Sequence, residues 1–143
     1  MEQETENIIK QFVEWIKIKT KIHLCKPADI YFNEREIWWA RLGLNVGFEV
    51  KGKGENFSRP IIILKKLSSD TCLIIPLTTS SKRKNLFPLG KINGDEDSFA
   101  LLEQIRLIDK KRLEEKVGML EENLFNDFKG EVLALIGETN KSG

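Results

Sequence analysis

The sequence predicts an α+β fold: a small, barrel-like antiparallel sheet with one helix before it and one after it. Three observations carry that prediction. Short apolar runs separated by Gly, Ser, Asn and Asp fill residues 35–120. Two of them, residues 61–64 and 72–75, flank the polar cluster Ser68-Ser69-Asp70 like the arms of a hairpin. Apolar residues at helical spacing are confined to the two ends of the chain.

The first helix is expected over residues 6–21, where Ile8, Ile9, Phe12, Val13 and Ile16 make one stripe, with Thr5 as its cap and Pro27 downstream. Ile8, Phe12 and Ile16 hold too much apolar surface for a free helix and are expected to be buried on folding, against the chain's own barrel or the dimer mate. From Arg35 the pattern turns to strand. Residues 37–41 are short and aromatic, and alternation puts Trp38 and Trp39 on opposite faces, one in the core and the other free to cover a dimer surface or stack a base. Gly43, Gly47, Gly52 and Gly54 punctuate the long polar segment that follows. No strand–Gly–helix context surrounds them, so they read as a mobile loop over the site and not as a nucleotide fingerprint.

The hairpin comes next, then a basic loop, Ser80-Ser81-Lys82-Arg83-Lys84-Asn85. Residues 87–92 read as a strand turned by Asn93-Gly94-Asp95, and residues 98–106 as one further strand. A short charged helix is expected over 110–115 and a strand over 117–120. Leu124, Phe125, Phe128, Val132, Leu135 and Ile136 then stripe a closing helix with Asn123 as its N-cap. These elements divide the chain into an extension (1–33), a main domain (34–137) and a polar tail (138–143).

Composition bounds the function. A chain of 143 residues fits one domain with a real core. Its net charge of +1 provides no global basic field, so any nucleic-acid binding must use a local patch. Cys25 and Cys72 make neither a disulfide framework nor a metal spacing and suit a reduced cytoplasm. Residues 1–6 are acidic, unlike a signal peptide, and no apolar run reaches the ~18 residues of a membrane span, so no membrane partner is expected.

One constellation carries chemistry. A hairpin loop of two or three residues at 68–70 sets Arg59 beside Thr79 or Ser80, with Thr78 one place away. A guanidinium and several hydroxyls then share one rim of the sheet, an arrangement suited to a phosphodiester. Taken alone, an Arg opening a strand and a Thr closing one are ordinary edge residues, and Lys82-Arg83-Lys84 is more often a solvated loop than a ligand grip, although its place just beyond Thr78 favours a role.

A family resemblance sharpens this. Arg35-Glu36-Ile37-Trp38-Trp39, the loop ending Gly54-Glu55-Asn56-Phe57-Ser58-Arg59-Pro60, Ile75-Pro76-Leu77-Thr78, and the long run from Leu102 to Leu113 occur in the order typical of MazF/PemK toxins. The chain resembles that family, the toxins of type II toxin–antitoxin systems, over roughly residues 34–137. The resemblance implies an SH3-like barrel of the MazF/PemK/CcdB kind, a homodimer, and cleavage of single-stranded RNA without a cofactor or metal. It also implies a cognate antitoxin that occupies the RNA groove. The family's catalytic arginine and threonine fall on Arg59 and Thr78, its loop glutamate on Glu55, and its acid–Gln pair on Glu103 and Gln104. Lys53, Asn56, Ser58, Thr79, Ser80, Lys82 and Arg83 complete the expected RNA surface. Three departures stand out: Arg35-Glu36 lacks the usual intervening glycine, Gly54 precedes Glu55 where the family commonly has a small hydroxyl residue, and Leu101 replaces an arginine found in one branch.

The residues support a metal-free route in their own right. Attack by the RNA's 2′-hydroxyl needs a base, an acid for the leaving 5′-oxygen, and charge stabilisation on the phosphorane. Arginine is an excellent stabiliser and a poor base. Arg59 is therefore assigned to the phosphate, Thr78 to a non-bridging oxygen, and Glu55, then Glu103, to the base. The lone His23 lies in the extension, which excludes a two-histidine mechanism. The rival readings are non-catalytic relatives on the same barrel. Gyrase poisons end in Trp-Gly-Ile, unlike Thr139-Asn140-Lys141-Ser142-Gly143 here, and a decayed RNA-binding module would keep the surface without the chemistry.

Overall fold

The computed structural model describes residues 1–26, 29–92 and 94–137. Its elements are α1 (Glu2–Leu24), β1 (Glu36–Arg41), β2 (Ser58–Lys66), β3 (Thr71–Thr78), β4 (Leu86–Gly90), β5 (Ser98–Leu101), β6 (Arg106–Asp109), β7 (Leu113–Met119) and α2 (Glu122–Gly137). Pro27, Asn93 and the tail from Glu138 lie outside the described residues. The sheet is antiparallel at every pairing and runs β4-β5-β3-β2-β1-β7, with β6 also on β3. This is the α+β architecture expected. The sheet is barrel-like without closing, because β4 and β7 remain its two ends. Neither helix is long and apolar enough to cross a membrane.

Successive strand residues face opposite ways, so an unbroken apolar run marks a strand covered on both sides. Ile61, Ile63 and Ile74 join Trp38, Ala40 and Leu113 in one core. Ile62, Leu64, Ile75 and Leu77 meet Phe125, Phe128 and Val132 of α2 in the other. Burial of the Cys72 thiol, reinforced by Asp109, pushes its pKa up to about 12.

Within residues 86–137, four elements depart from the sequence reading. The strand expected over 98–106 is broken by a 3₁₀ turn, Leu102–Gln104. From Ala100 to Arg106 the chain advances six residues while its partner β3 moves only three, from Leu77 back to Ile74, and the turn absorbs the excess. The helix expected over 110–115 is a single 3₁₀ turn, Lys110–Arg112, because pairing of Leu113 with Ala40 draws the following residues into β7. β4 starts at Leu86 and stops at Gly90, whose φ of +77° ends the strand. Glu121, not Asn123, caps α2: its carboxylate accepts the N–H groups of Asn123 and Leu124, and these bonds lower its pKa.

Along the α2 stripe, Phe125, Phe128 and Val132 are buried, whereas Leu135 and Ile136 remain exposed. Gly130 lies within α2, and a Cβ there meets open space. Gly130→Ala is expected to stabilise the protein by roughly 0.5–1 kcal/mol, read as a higher urea midpoint at unchanged slope.

The N-terminal helix brings the main correction. It begins at Glu2 with Met1 as N-cap, so Thr5 lies inside it and caps nothing. Ile8, Phe12 and Ile16, expected to be buried, are 48%, 38% and 59% exposed. The contact face is a different one. Trp15 and Ile22 are buried, with Ile18 beside them, against Phe57 and Leu44 of the long β1–β2 loop. Gly43 makes this docking possible: its φ is +77°, and a Cβ there would lie 2.0 Å from the Trp15 ring. Residues 1–14 run past this contact and are exposed throughout.

Candidate active site

Hairpin register builds the site. Ile61 faces Pro76, and continuing that ladder two places sets Arg59 opposite Thr78. The sequence reading had placed Arg59 one or two residues further along. A bulge between Ile63 and Lys65 consumes one residue of β2 and shifts the register.

Two backbone carbonyls hold the Arg59 guanidinium: Nε donates to Lys51 O at 2.7 Å and Nη1 to Leu77 O at 3.0 Å. Those bonds use two of the five N–H groups of an arginine, leaving the rest free for a ligand. Burial first, and Arg83 second, push the Arg59 pKa below its ordinary value. An arginine so placed remains cationic and is short of a counter-charge. Across from it, Thr78 Oγ1 accepts the Ser80 N–H at 3.1 Å, which leaves its hydroxyl hydrogen available to donate.

These two residues share a cleft of about 420 Å³ with Trp39, Lys53, Gly54, Ser58, Thr79 and Ser98. Trp38 is buried and donates from Nε1 to Glu36 Oε1 at 3.1 Å, so the alternation expected of the Trp pair leaves Trp39 facing the cleft. Ser58 is already engaged, since its hydroxyl donates to Glu114, a carboxylate that also lies 3.4 Å from Arg41.

The remaining sequence candidates are dispersed. Glu55 and Asn56 are exposed at the tip of the four-residue turn closed by the Lys53–Ser58 bridge, beside the cleft and not among its lining residues. Ser80, Lys82 and Arg83 are exposed on the loop after Thr78, and Arg83 Nη1 donates to Phe48 O at 3.2 Å. Glu103 and Gln104 line a separate cavity of about 330 Å³ with Asn45, Glu49 and Arg106. Gln104 works on the loop there: it accepts the Val50 N–H at 2.9 Å and donates to Phe48 O at 3.0 Å. The 48–51 segment is thus pinned by Gln104 at one end and by Arg59 at the other. The segment read as a mobile loop is held at several points.

Known proteins share the sequence family and the fold. A family model for the PemK-like, MazF-like toxin of type II toxin–antitoxin systems matches residues 33–136. The chain belongs to that family. It is 32% identical over 83 residues to the endoribonuclease MazF of Staphylococcus epidermidis, covering 52% of this chain and 69% of that protein. The fold is shared with MazF from Deinococcus radiodurans at a TM-score of 0.60 and 17% identity, covering 76% of this chain and 99% of that one. It is also shared with a mycobacterial endoribonuclease in complex with its cognate antitoxin, at a TM-score of 0.52 and 13% identity, covering 73% and 93%.

Trp39 in the cleft and the Lys51 carbonyl that orients Arg59 were absent from the sequence assignment. Alternation had left one tryptophan of the pair free, which was the available signal for Trp39. Nothing local marks Glu114, which reaches Ser58 across 56 residues of chain.

Proposed function

We propose that this MazF-family chain is an endoribonuclease toxin, cleaving single-stranded RNA at a short sequence by attack of the RNA's own 2′-hydroxyl and neutralised by a cognate antitoxin. The observation that carries the reading is the Arg59 guanidinium, fixed by two carbonyls opposite Thr78 with free donors turned to a cleft. A preorganised, desolvated cation costs little reorganisation when charge develops on a phosphorane. Arg59 and Thr78 bind the non-bridging oxygens, and Trp39 offers a face on which a base flanking the scissile phosphate stacks. Lys53, Thr79 and the loop with Lys82 and Arg83 extend the polar track for the backbone.

Glu55, on the turn beside the cleft, takes the 2′-OH proton once RNA closes the turn over the site, and Glu103 is the alternative base. The active species is a cytoplasmic homodimer, with the RNA lying in the groove that the antitoxin also occupies. No metal takes part in the step.

The test is incubation of the purified protein with a long single-stranded RNA and mapping of the ends. Cleavage at a recurring short sequence supports the reading; RNA that is bound without being cut overturns it in favour of a non-catalytic relative. Thr78→Ala removes one neutral hydrogen bond and is expected to slow cleavage by about 10- to 100-fold in single-turnover assays.

A further inference from the structure

The N-terminal half of α1 leaves the protein as an arm with an unpartnered apolar stripe. Ile8, Phe12 and Ile16 stand four residues apart, with Ile9 and Val13 alongside, and all five are exposed. The face that meets the β1–β2 loop is already used by Trp15, Ile18 and Ile22. This helix also lies outside the family match, which starts at residue 33.

Its charge is polarised along the axis. Residues 2–14 carry Glu2, Glu4, Glu6 and Glu14 against Lys10, whereas residues 15–24 carry Lys17, Lys19 and Lys21 with no carboxylate. A helix of this kind is complementary to itself when reversed. From this charge complementarity and the stripe it flanks, we infer that α1 pairs antiparallel with α1 of a second copy of this chain. A two-fold axis near Phe12 sets Ile8 opposite Ile16 of the second copy and brings the acidic end at Glu4 and Glu6 level with its basic end at Lys17 to Lys21. Parallel pairing sets like charges together and is disfavoured. The acidic half that carries most of the stripe also makes the arm a poor surface for RNA. None of the five stripe residues lines the RNA cleft, so the contact joins two copies whether or not the barrels also associate.

The test is sedimentation of the full-length protein without RNA. Phe12→Glu with Ile16→Glu is expected to weaken self-association at least 10-fold while far-UV circular dichroism and RNA cleavage stay unchanged, since neither side chain is in the core. The charge test is independent of any loss of apolar contact. Glu4→Lys/Glu6→Lys and Lys19→Glu/Lys21→Glu should each weaken self-association, and mixing the two proteins should restore it as a mixed pair. In a Cys25→Ser background, Phe12→Cys should cross-link to its copy under mild oxidation and Thr20→Cys should not, because antiparallel helices put the two Thr20 positions roughly 24 Å apart along the axis. The inference is overturned if the variants sediment like the parent, if mixing restores nothing, or if Thr20→Cys cross-links as readily as Phe12→Cys.

Discussion

Arg59→Ala is expected to lower the single-turnover rate of RNA cleavage by about 10²–10³ while leaving the melting temperature close to that of the parent. The magnitude is that of losing one preorganised donor aimed at developing charge. The fold should tolerate the change because the side chain is half-buried at the rim and bonds only to the Lys51 and Leu77 carbonyls, which can turn to water. Arg59→Lys should recover only part of the loss, since an ammonium lacks the planar fork that satisfies both carbonyls and still reaches the phosphate. Quench-flow rates with a saturating oligonucleotide measure both.

Gly52→Ala should be nearly as damaging to activity although the residue touches no substrate. A Cβ at Gly52 would lie 1.7 Å from the Phe57 carbonyl oxygen, and that obstacle is backbone. The Gly52 N–H also donates to Gly43 O at 2.7 Å, locking the two limbs of the loop together. Relief of the clash must move the backbone next to Lys51, whose carbonyl aims Arg59. A shift of about 1 Å there is worth roughly 10² in rate, and the strained packing about 1–3 kcal/mol in stability. Activity per folded molecule, obtained by pairing rates with urea melts, separates the two effects.

The sheet was legible because its strands are short, apolar and punctuated, and the run 61–64 is buried on both sides as such a run requires. The errors have local physical causes. Residues 98–106 look like one strand, yet β3 offers two partner stretches in different registers, and only a turn can bridge them. Residues 110–115 carry helical charge spacing, but pairing with β1 outweighs so weak a propensity. The α1 stripe was read correctly as apolar, yet within one chain it stays exposed, because spacing does not tell which of two adjoining faces meets the chain's own β1–β2 loop. Arg59 and Thr78 were both singled out in sequence, but the bulge that brings them face to face leaves no mark there. Glu103 and Gln104 belong to the neighbouring cavity, a separation that contiguous sequence motifs conceal.

The proposed mechanism turns on the identity of the nucleophile, and one substrate tests it. An oligoribonucleotide carrying the recognised sequence is compared, in excess EDTA, with the same molecule bearing 2′-deoxyribose at the scissile nucleotide alone. Attack by the RNA's own hydroxyl predicts that the all-ribose strand is cut to a 2′,3′-cyclic phosphate and a 5′-hydroxyl, whereas the deoxy-substituted strand stays intact. Cutting of the deoxy-substituted strand, 5′-phosphate ends, or cleavage that returns only when Mg²⁺ is restored would contradict it.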